Sequence, residues 1–245
     1  MATVTAAILI VGNEVLSDST QDANVAFIAQ RLAARGITLS EVRVVRDEED
    51  AIINALNALR TQYRYVFTTG GIGPTHDDIT SECISKAFGL PHEVHAEARK
   101  ILEAYYAPRG IEINPARLRM ATMPKGALLL ENPVSGAPGF RIGNVFVMAG
   151  VPKIMQMMFA FAEATLEEGP PLQSRALRCN LKEGDIAAEL DAIQKRFPEV
   201  DIGSYPAMSQ KPSLTFALRS ADSAKLEAAA LQVDALIRAH GEEPQ

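Results

Sequence analysis

Short apolar runs alternate with longer amphipathic segments through the first 170 residues of the chain. The first run, Ile8–Val11, is continuous and rich in β-branched residues, which is typical of a strand buried on both faces of a sheet. The apolar runs occupy residues 8–11, 41–45, 65–68, 128–130 and 145–148. Apolar residues recur at helical spacing over residues 23–34, 51–59, 78–88, 95–106, 115–120 and 154–166. This alternation predicts a three-layer α/β/α sandwich, in which helices cover both faces of a mainly parallel sheet.

The pattern changes after Glu168–Pro171, a stretch containing Gly and Pro that is typical of a linker. Beyond it the predicted order of elements is β-α-β-β-α. The strands are expected at 176–179, 202–205 and 214–218, and the helices at 185–197 and 224–239. We therefore expect two domains, a larger one over residues 1–168 and a small α+β unit over residues 172–241.

Composition limits the partners and the location of the protein. The formal net charge is −6 with no basic run, which argues against a nucleic-acid partner. The N-terminal apolar run Ala6–Val11 has no basic region before it and is too short for a signal peptide or a membrane span. We expect a cytoplasmic protein with no membrane partner. Cys83 and Cys179 belong to no metal-binding motif, and we expect two buried thiols in a reducing compartment.

The segment that carries the most chemistry is TTGGIGPTHDDIT at residues 68–80, after the third predicted strand. Ligands of parallel α/β sheets bind beyond the carboxyl ends of the strands. Glycines between a strand and a helix let the backbone approach a ligand, and free N–H groups at the helix start favour phosphate or carboxylate. The predicted ligand-binding residues of this loop are Thr69, Gly70, Gly71, Gly73, Pro74 and Thr75. The alternative is a plain turn in which Asp77 or Asp78 caps the next helix.

Carboxylates are also expected at this edge of the sheet, after the first and second strands. Glu14 follows Gly12 and Asn13, which we predict to contact the ligand, and Asp47 follows the second strand. Carboxylates placed where a phosphate binds would repel it unless a cation lies between them. Mg²⁺ is commonly held by one or two carboxylates plus substrate phosphates. We therefore predict Asp47 and Asp78 as catalytic residues that bind the metal, with Glu14 as a further ligand.

Two more turns of small residues stand beside predicted strands, at residues 132–140 and 149–153. Both ligand binding and ordinary turn formation explain such residues, and the sequence leaves the choice open. The ligand-binding candidates here are Ser135, Pro138, Gly139, Gly150 and Lys153. The methionine-rich helix at 154–166 is more typical of core or subunit packing than of a membrane or cofactor surface.

These segments together resemble the molybdopterin-binding (MoCF) domain family, and most closely its CinA-type branch, the competence/damage-inducible protein A group. The resemblance covers roughly residues 5–167, and residues 69–80 are its most specific part. The supporting segments are residues 12–17, 21–24, 45–47, 132–140 and 150–152. The C-terminal unit resembles the middle domain of CinA-like chains only loosely.

The resemblance implies a three-layer α/β/α fold that assembles as a homo-oligomer, a dimer or a trimer. It implies a small-molecule ligand, either a pterin phosphate such as molybdopterin or a nucleotide such as ADP-ribose or FAD. It also implies a divalent metal, magnesium or cobalt, together with potassium. The two aspartates that carry the site in molybdopterin-handling relatives match Asp47 and Asp78.

The sequence departs from the family pattern at three positions. Asp18 stands where many relatives have Gly, Ala149 replaces a Pro, and Ile154 replaces a frequent Glu that would offer an acidic ligand. The sequence also lacks the nicotinamide-nucleotide deamidase domain of full-length CinA, so we expect no deamidase activity.

Three functions follow from these patterns, and the sequence does not separate them. The first is metal-dependent hydrolysis of a nucleotide pyrophosphate such as ADP-ribose or FAD. The second is binding or adenylation of molybdopterin in molybdenum cofactor biosynthesis. The third is a non-catalytic nucleotide-sensing module. A phosphate-binding loop serves all three, because fold alone does not determine function.

Overall fold

The computed structural model describes residues 4–17, 22–207 and 212–245. Asp18 and Gln21, which enter the family comparison above, lie outside the described residues. The chain divides into two compact units, Met1–Gly169 and Pro170–Gln245.

The first unit alternates strands and helices around a six-stranded sheet. Its elements in chain order are β1 (Val4–Val11), α1 (Asn13–Leu16), α2 (Asn24–Ala34), β2 (Ile37–Val45), α3 (Glu49–Gln62), β3 (Tyr65–Thr69), α4 (Thr80–Phe88), β4 (His92–Val94), α5 (Ala96–Tyr106), a 3₁₀ turn (Ala107–Arg109), α6 (Pro115–Arg119), β5 (Thr122–Pro124), β6 (Leu128–Leu130), β7 (Gly139–Ile142), β8 (Val145–Met148) and α7 (Pro152–Glu163). The strand order is β2-β1-β3-β8-β7-β6, and β4 and β5 form a separate two-stranded ribbon.

The carboxyl ends of β2, β1 and β3 lie side by side. These strands are parallel, with Val11 opposite Val45 and Ile10 opposite Thr69. Strand β8 pairs with β3 in parallel. Strand β7 pairs antiparallel with β8, and β6 pairs antiparallel with β7. The predicted mainly parallel sheet is therefore confirmed, and the loops after β1, β2 and β3 leave from one edge.

The side chains of β1 alternate between two cores, one on each face of the sheet. Leu9 shares a core with Leu56 of α3, and Ile8 shares the other core with Leu32 of α2 and Phe159 of α7. Both faces of a strand can be apolar in this way only when helices cover both sides of the sheet. The three-layer sandwich predicted from the continuous apolar runs is the fold observed.

The methionine-rich helix α7 belongs in part to the core. Met155 and Met158 are buried, whereas Met157 and Phe161 stay exposed on the opposite face. Core packing therefore accounts for two of these methionines. The homo-oligomer that the resemblance implies stays a prediction.

Several elements differ in length from the sequence prediction. Strand β2 begins at Ile37 rather than at residue 41, because it pairs with β1 from Val4 onwards. Helix α4 begins at Thr80 rather than at residue 78, because the chain makes a turn before the helix. Strands β4 and β5 span three residues each, too short to show a strand periodicity.

The second unit has the predicted β-α-β-β-α order. Its elements are β9 (Gln173–Cys179), α8 (Glu183–Arg196), β10 (Asp201–Pro206), β11 (Leu214–Ser220) and α9 (Ser223–Ala239). The three strands form an antiparallel sheet in the order β10-β11-β9. Phe216 and Leu218 of β11 are buried in one cluster with Val233 of α9.

Among the described helices, none has the length and the apolar character needed to cross a lipid bilayer. Cys83 and Cys179 are buried free thiols, as the sequence predicts. Burial raises the pKa of the Cys83 thiol to about 11, so this group stays protonated and weakly reactive at neutral pH.

Candidate functional site

The loops that follow β1 and β2 are joined by two hydrogen bonds. The Gly12 N–H donates to the Val45 carbonyl oxygen at 3.2 Å, which extends the pairing of the two strands by one residue. The Asn13 N–H donates to Oδ2 of Asp47 at 2.9 Å. Asn13 is the first residue of α1, so the Asp47 carboxylate occupies the amino end of that short helix. The structure thus brings Gly12, Asn13 and Asp47 together.

The first two glycines of the glycine-rich loop are required for backbone packing. Gly70 has φ of +98°, and a methyl group on it would lie 2.0 Å from the Val11 carbonyl oxygen. Gly71 has φ of +67°, and a methyl group there would lie 2.1 Å from Oγ1 of Thr80. The Gly71 carbonyl oxygen accepts from the Thr80 N–H at 2.9 Å, which ties the loop to the first residue of α4. Backbone packing alone therefore requires glycine at these two positions, whether or not a ligand binds.

Asp78 closes the second half of the loop. Its Oδ2 accepts from the Thr75 N–H at 2.8 Å and from the Thr75 hydroxyl. Helix α4 starts at Thr80 with Ile79 at the N-cap and no side-chain cap, so the alternative in which Asp77 or Asp78 caps this helix is wrong. A methyl group on Gly73 would lie 2.6 Å from Asp78 Oδ2, so the third glycine makes room for this carboxylate.

The two residues before Asp78 face solvent. The His76 side chain is 97% exposed and lies 3.9 Å from the Asp77 carboxylate. Hydrogen bonds from the Thr75 side chain and from the Asp77 backbone lower the pKa of the Asp77 carboxyl. Asp77 is therefore charged at neutral pH, and its side chain is exposed to solvent.

A cavity of about 340 Å³ opens beside this loop. Its walls come from the glycine-rich loop, from the first turn of α4, from the ribbon and helix inserted between residues 92 and 123, and from the start of β7. The lining residues are Ile72, Gly73, Asp78, Ser81, Glu82, His92, Arg119, Met120, Thr122, Met123, Pro138 and Phe140. Ligand pockets usually measure about 300–1,000 Å³ and combine apolar walls with a few polar groups. Size and lining both fit a small-molecule site.

Arg119 ties the cavity wall to the loop. Its Nη2 donates to the Asp78 carbonyl oxygen at 3.2 Å. Near it, the Ser81 hydroxyl donates to the Thr122 carbonyl oxygen at 2.8 Å, and Nε2 of His92 lies 3.2 Å from both Ser81 Oγ and that carbonyl. Because the Ser81 proton goes to a backbone carbonyl, His92 does not activate this hydroxyl as a nucleophile.

A second, smaller cavity of about 50 Å³ lies between the loops after β1, β3 and β8. Asn24 donates from Nδ2 to the Gly150 carbonyl oxygen at 2.8 Å, which holds the two loops together. Oδ1 of Asn24 and Oγ1 of Thr69 are buried and have no hydrogen-bond partner among the residues that the structure describes. Buried polar atoms are usually paired, so a water or a ligand atom is the natural partner here. Glu14, Gly70 and Gly150 also line this cavity.

The loop at residues 132–138 is organised by Asn132. Its Nδ2 donates to Ser135 Oγ at 2.5 Å, and its Oδ1 accepts from the Val134 N–H at 3.1 Å. Tyr105 packs on Gly136 and donates to the Val134 carbonyl oxygen at 3.1 Å. These contacts explain the turn without a ligand, although Pro138 at its end lines the larger cavity.

The predicted residues thus fall into separate groups. Gly73, Asp78 and Pro138 line the larger cavity, whereas Glu14, Thr69, Gly70 and Gly150 line the smaller one. Asp47 lines neither. The exposed Lys153 is the second residue of α7, and Gly139 begins β7. Within the described residues, no group of three or more His, Cys, Asp or Glu side chains is arranged to hold a metal ion. A metal at Asp47 and Asp78 would therefore need further ligands.

Sequence reasoning missed the polar residues that the inserted ribbon and helix contribute. His92 and Thr122 lie in strands too short to predict. Arg119 ends a helix that the helical spacing over residues 115–120 predicts, but that spacing does not indicate that its side chain lines the cavity. Ser81 and Glu82, in the first turn of α4, follow the glycine-rich loop so closely that the helix start already indicated their position.

Comparison with known proteins bears on both units. Residues 7–167 match the family model described as a probable molybdopterin binding domain, and residues 171–243 match the FAD synthase middle domain. A protein of Pyrobaculum arsenaticum is 36% identical over 208 residues, which cover 81% of this chain and 78% of that protein. A probable FAD synthase of Caenorhabditis briggsae is 31% identical over 263 residues, 96% of this chain but only 50% of that protein.

A solved structure supports the fold of the first unit. The protein CinA of Thermoplasma acidophilum, described as having unknown function, superimposes with a TM-score of 0.62 at 32% sequence identity. The match covers 66% of this chain and 98% of that chain. The resemblance drawn from the sequence motifs is therefore confirmed at the level of the family.

Proposed function

The chain belongs to the molybdopterin-binding (MoCF) domain family, and from this premise we propose that it is a metal-dependent hydrolase of a nucleotide pyrophosphate such as ADP-ribose or FAD. The observation that supports the proposal is the contact of Thr75 with Asp78, whose side chain lines the larger cavity. It holds a carboxylate at a fixed place beside a ligand-sized space. The phosphates would lie along the glycine-rich loop, near Thr75 and the uncapped start of α4.

Each aspartate would offer one carboxylate oxygen to a divalent cation that a phosphate ligand helps to hold. Oδ2 of Asp47 accepts from Asn13 and Oδ2 of Asp78 accepts from Thr75. Within the described part of the chain, the second carboxylate oxygen of each accepts no hydrogen bond and is available to a cation. Mg²⁺ commonly uses one or two carboxylates and completes its shell with water and substrate phosphates. Asp47 and Asp78 would hold magnesium or cobalt here, and we assign no residue to potassium.

When bound, such a cation would polarise the phosphorus centre and lower the pKa of an attacking water. The residues of this chain position the substrate for that step. Thr75 and Asp78 keep the loop closed, and Asn13 fixes the orientation of Asp47. Glu14 lines the smaller cavity, so its proposed part in metal binding would require the metal to lie towards that side of the loop.

One observation favours a second candidate, a binding protein without hydrolytic activity. The described residues contain no ready-made group of three metal ligands, and the Asp47 side chain lines neither cavity. Such a site would bind a pterin or nucleotide phosphate, including molybdopterin, for adenylation or for sensing. Anaerobic purification followed by oxidation would show retained pterin by its fluorescence, and absence of that fluorescence would count against a molybdopterin function.

The experiment that tests hydrolysis is AMP release from ADP-ribose and FAD, followed by mass-resolved chromatography. Chelator-treated protein would receive magnesium or cobalt with potassium. We expect metal-dependent AMP, lost in Asp78→Asn and in Asp78→Ala but kept in the neighbouring Asp77→Ala. Thermal unfolding should change little in all three variants. No AMP above the buffer rate would overturn hydrolysis and leave ligand binding as the function.

A further inference from the structure

Two buried oxygen atoms without hydrogen-bond partners belong to residues that line the smaller cavity. They are Oδ1 of Asn24 and Oγ1 of Thr69, whose residues are only 3% and 1% exposed. The other such atoms among the described residues, Nε of Arg35 and the hydroxyls of Thr68 and Thr80, belong to residues that do not line it. Buried polar atoms are usually paired. Two unpaired oxygens at one cavity therefore indicate that it binds something.

The orientation of the Asn24 amide makes its unpaired atom an acceptor. Nδ2 donates to the Gly150 carbonyl oxygen at 2.8 Å. The reversed amide would place its own oxygen against that carbonyl, and two acceptors cannot form a hydrogen bond. The unpaired Oδ1 therefore needs a donor or a cation.

The charged residues that line this cavity are both acidic. They are Glu14 and Asp22, and no described Lys, Arg or His side chain lines the cavity. Oδ1 of Asp22 accepts from the Val25 N–H at 2.9 Å. The Glu14 carboxylate folds back over Gly12, where an added methyl group would lie 2.5 Å from its Oε1. Two carboxylates at one small cavity repel each other, and a cation between them removes the repulsion.

The donor atoms and the size of the cavity select the kind of cation. Carboxylate, amide and hydroxyl oxygens suit Mg²⁺, Ca²⁺ and Mn²⁺, whereas Zn²⁺ and Cu²⁺ favour imidazole and thiolate ligands. Two carboxylates balance the charge of one divalent ion. The volume is about 50 Å³. One water takes up about 30 Å³ in the liquid, so this space suits a single ion rather than an organic ligand.

We propose that the smaller cavity binds one hard divalent cation through oxygen atoms of Glu14, Asp22, Asn24 and Thr69. These residues lie in α1, just before α2, at the first residue of α2 and at the end of β3. The cation would join these segments directly before the glycine-rich loop, and its role would be to stabilise that edge of the sheet.

This site is separate from the catalytic metal of the proposed function. Asp47 and Asp78 do not line the smaller cavity. The cation proposed here needs no substrate phosphate, so it binds whether or not the protein hydrolyses a nucleotide. Its presence would also assign Glu14 to the smaller cavity instead of to the aspartate pair.

Strand β3 supplies a matched pair of variants. Thr68 and Thr69 are adjacent, both are buried, and neither hydroxyl has a hydrogen-bond partner within the described chain. Successive side chains of a strand point to opposite faces of the sheet, and only Thr69 lines the cavity. Because valine has nearly the shape of threonine and lacks the hydroxyl, neither Thr68→Val nor Thr69→Val should lower the stability of the cation-free protein.

The test is calorimetric titration of the chelator-treated full chain with Ca²⁺, Mg²⁺ or Mn²⁺ alone, without nucleotide. We expect at least one of these ions to bind at one per chain and to raise the unfolding temperature. Asp22→Asn keeps an oxygen for the Val25 N–H but loses the charge. Loss of an outer partner of a metal ligand already costs roughly 10–100-fold, so Asp22→Asn and Thr69→Val should weaken binding at least about tenfold, and Thr68→Val less than about twofold.

Three other outcomes would overturn the proposal. Absence of binding by all three ions would reject the site, while the proposed hydrolysis would still be decided by AMP release in the presence of substrate. Binding that is lost in Asp78→Asn and kept in Thr69→Val would locate the ion beside the glycine-rich loop instead. Equal weakening in Thr68→Val and Thr69→Val would show an effect of strand β3 as a whole rather than of an oxygen ligand.

Discussion

The backbone N–H of Asn13 donates to Oδ2 of Asp47 at 2.9 Å, across 34 residues of sequence. This bond joins the first turn after β1 to the loop after β2. It uses one carboxylate oxygen for structure and leaves the other for a ligand. An acid at the amino end of a helix is also favoured by the helix dipole, although α1 has only four residues. Asp47 therefore has a structural role and a candidate catalytic role that one substitution can separate.

We expect Asp47→Asn to keep the fold and lose the activity. The amide oxygen can still accept from Asn13, so the unfolding temperature should change by only a few degrees. Loss of the negative charge removes the proposed metal ligand, and AMP release should fall at least about a hundredfold if the step depends on metal positioning. Steady-state AMP release and thermal unfolding of the same preparation check the two expectations.

The exposed neighbour Glu48 supplies the control, because Glu48→Gln should change neither the activity nor the unfolding temperature. Full activity of Asp47→Asn would remove Asp47 from the metal set.

The arrangement of the sheet could be predicted because both faces of its central strands are apolar. Ile8–Val11 and Tyr65–Thr68 have no polar alternation, which only a sheet covered on both sides satisfies. That inference placed the loops after β1, β2 and β3 at one edge. The ends of elements were harder to predict, because pairing with a neighbour extends a strand beyond its apolar run, as at Ile37 in β2.

The candidate site could be predicted only where it is local in sequence. The glycine-rich loop and Asp78 lie within ten residues of a strand end, so strand and helix signals frame them. Arg119 lies in a segment predicted as helical and His92 in a strand of three residues, and no sequence pattern indicates that either side chain lines the cavity. From the sequence we predict that Gly70 and Gly71 contact the ligand. In the structure their close packing against Val11 and Thr80, within the protein, already requires glycine at both positions.

Gly70 and Gly89 both have positive φ, but we expect very different costs when each is replaced by alanine. At Gly89 φ is +64° and a methyl group meets nothing within 4 Å, so only the left-handed backbone is strained, by roughly 1–2 kcal/mol. At Gly70 the methyl group would also lie 2.0 Å from the carbonyl oxygen of Val11, the last residue of the inner strand β1. Gly70→Ala should cost more than about 4 kcal/mol or prevent folding. Urea unfolding measures both, and equal costs would show that the β1–β3 edge can move apart.

His92 should make the protein less stable in mild acid. Its residue is exposed overall, but the ring lies against Ser81 and Thr122, and partial burial there lowers the pKa of His92. The Thr122 carbonyl and Glu82 act in the opposite direction, and Arg119 and Lys86 add to the lowering. Because the unfolded chain takes up this proton more readily than the folded chain, stability is lost as pH falls below about 6.5.

Comparing a variant of His92 with a variant of His76 separates the effect of His92 on stability in acid from that of histidine loss in general. Urea unfolding at pH 5.5 and pH 7.5 should show a smaller acid loss in His92→Gln than in the unaltered chain. His76→Gln removes a histidine whose side chain is 97% exposed, so its acid loss should match that of the unaltered chain. An identical pH dependence in His92→Gln and His76→Gln would show that the cavity wall does not oppose protonation of His92.

Gly73→Ala tests whether the position of the Asp78 carboxylate matters apart from its charge. Gly73 does not have positive φ, so alanine causes no backbone strain, but its methyl group would lie 2.6 Å from Asp78 Oδ2. The Asp78 side chain is partly exposed and can swing away from Thr75, so the fold should survive with a small loss of stability. A displacement of about 1 Å at a reacting centre can cost on the order of a hundredfold in rate. We therefore expect AMP release to fall at least about tenfold while the unfolding temperature changes by only a few degrees.

Gly184→Ala, where a methyl group meets nothing within 4 Å, is the control and should leave activity unchanged. Unchanged activity in Gly73→Ala would mean that Asp78 closes the loop without acting on the substrate.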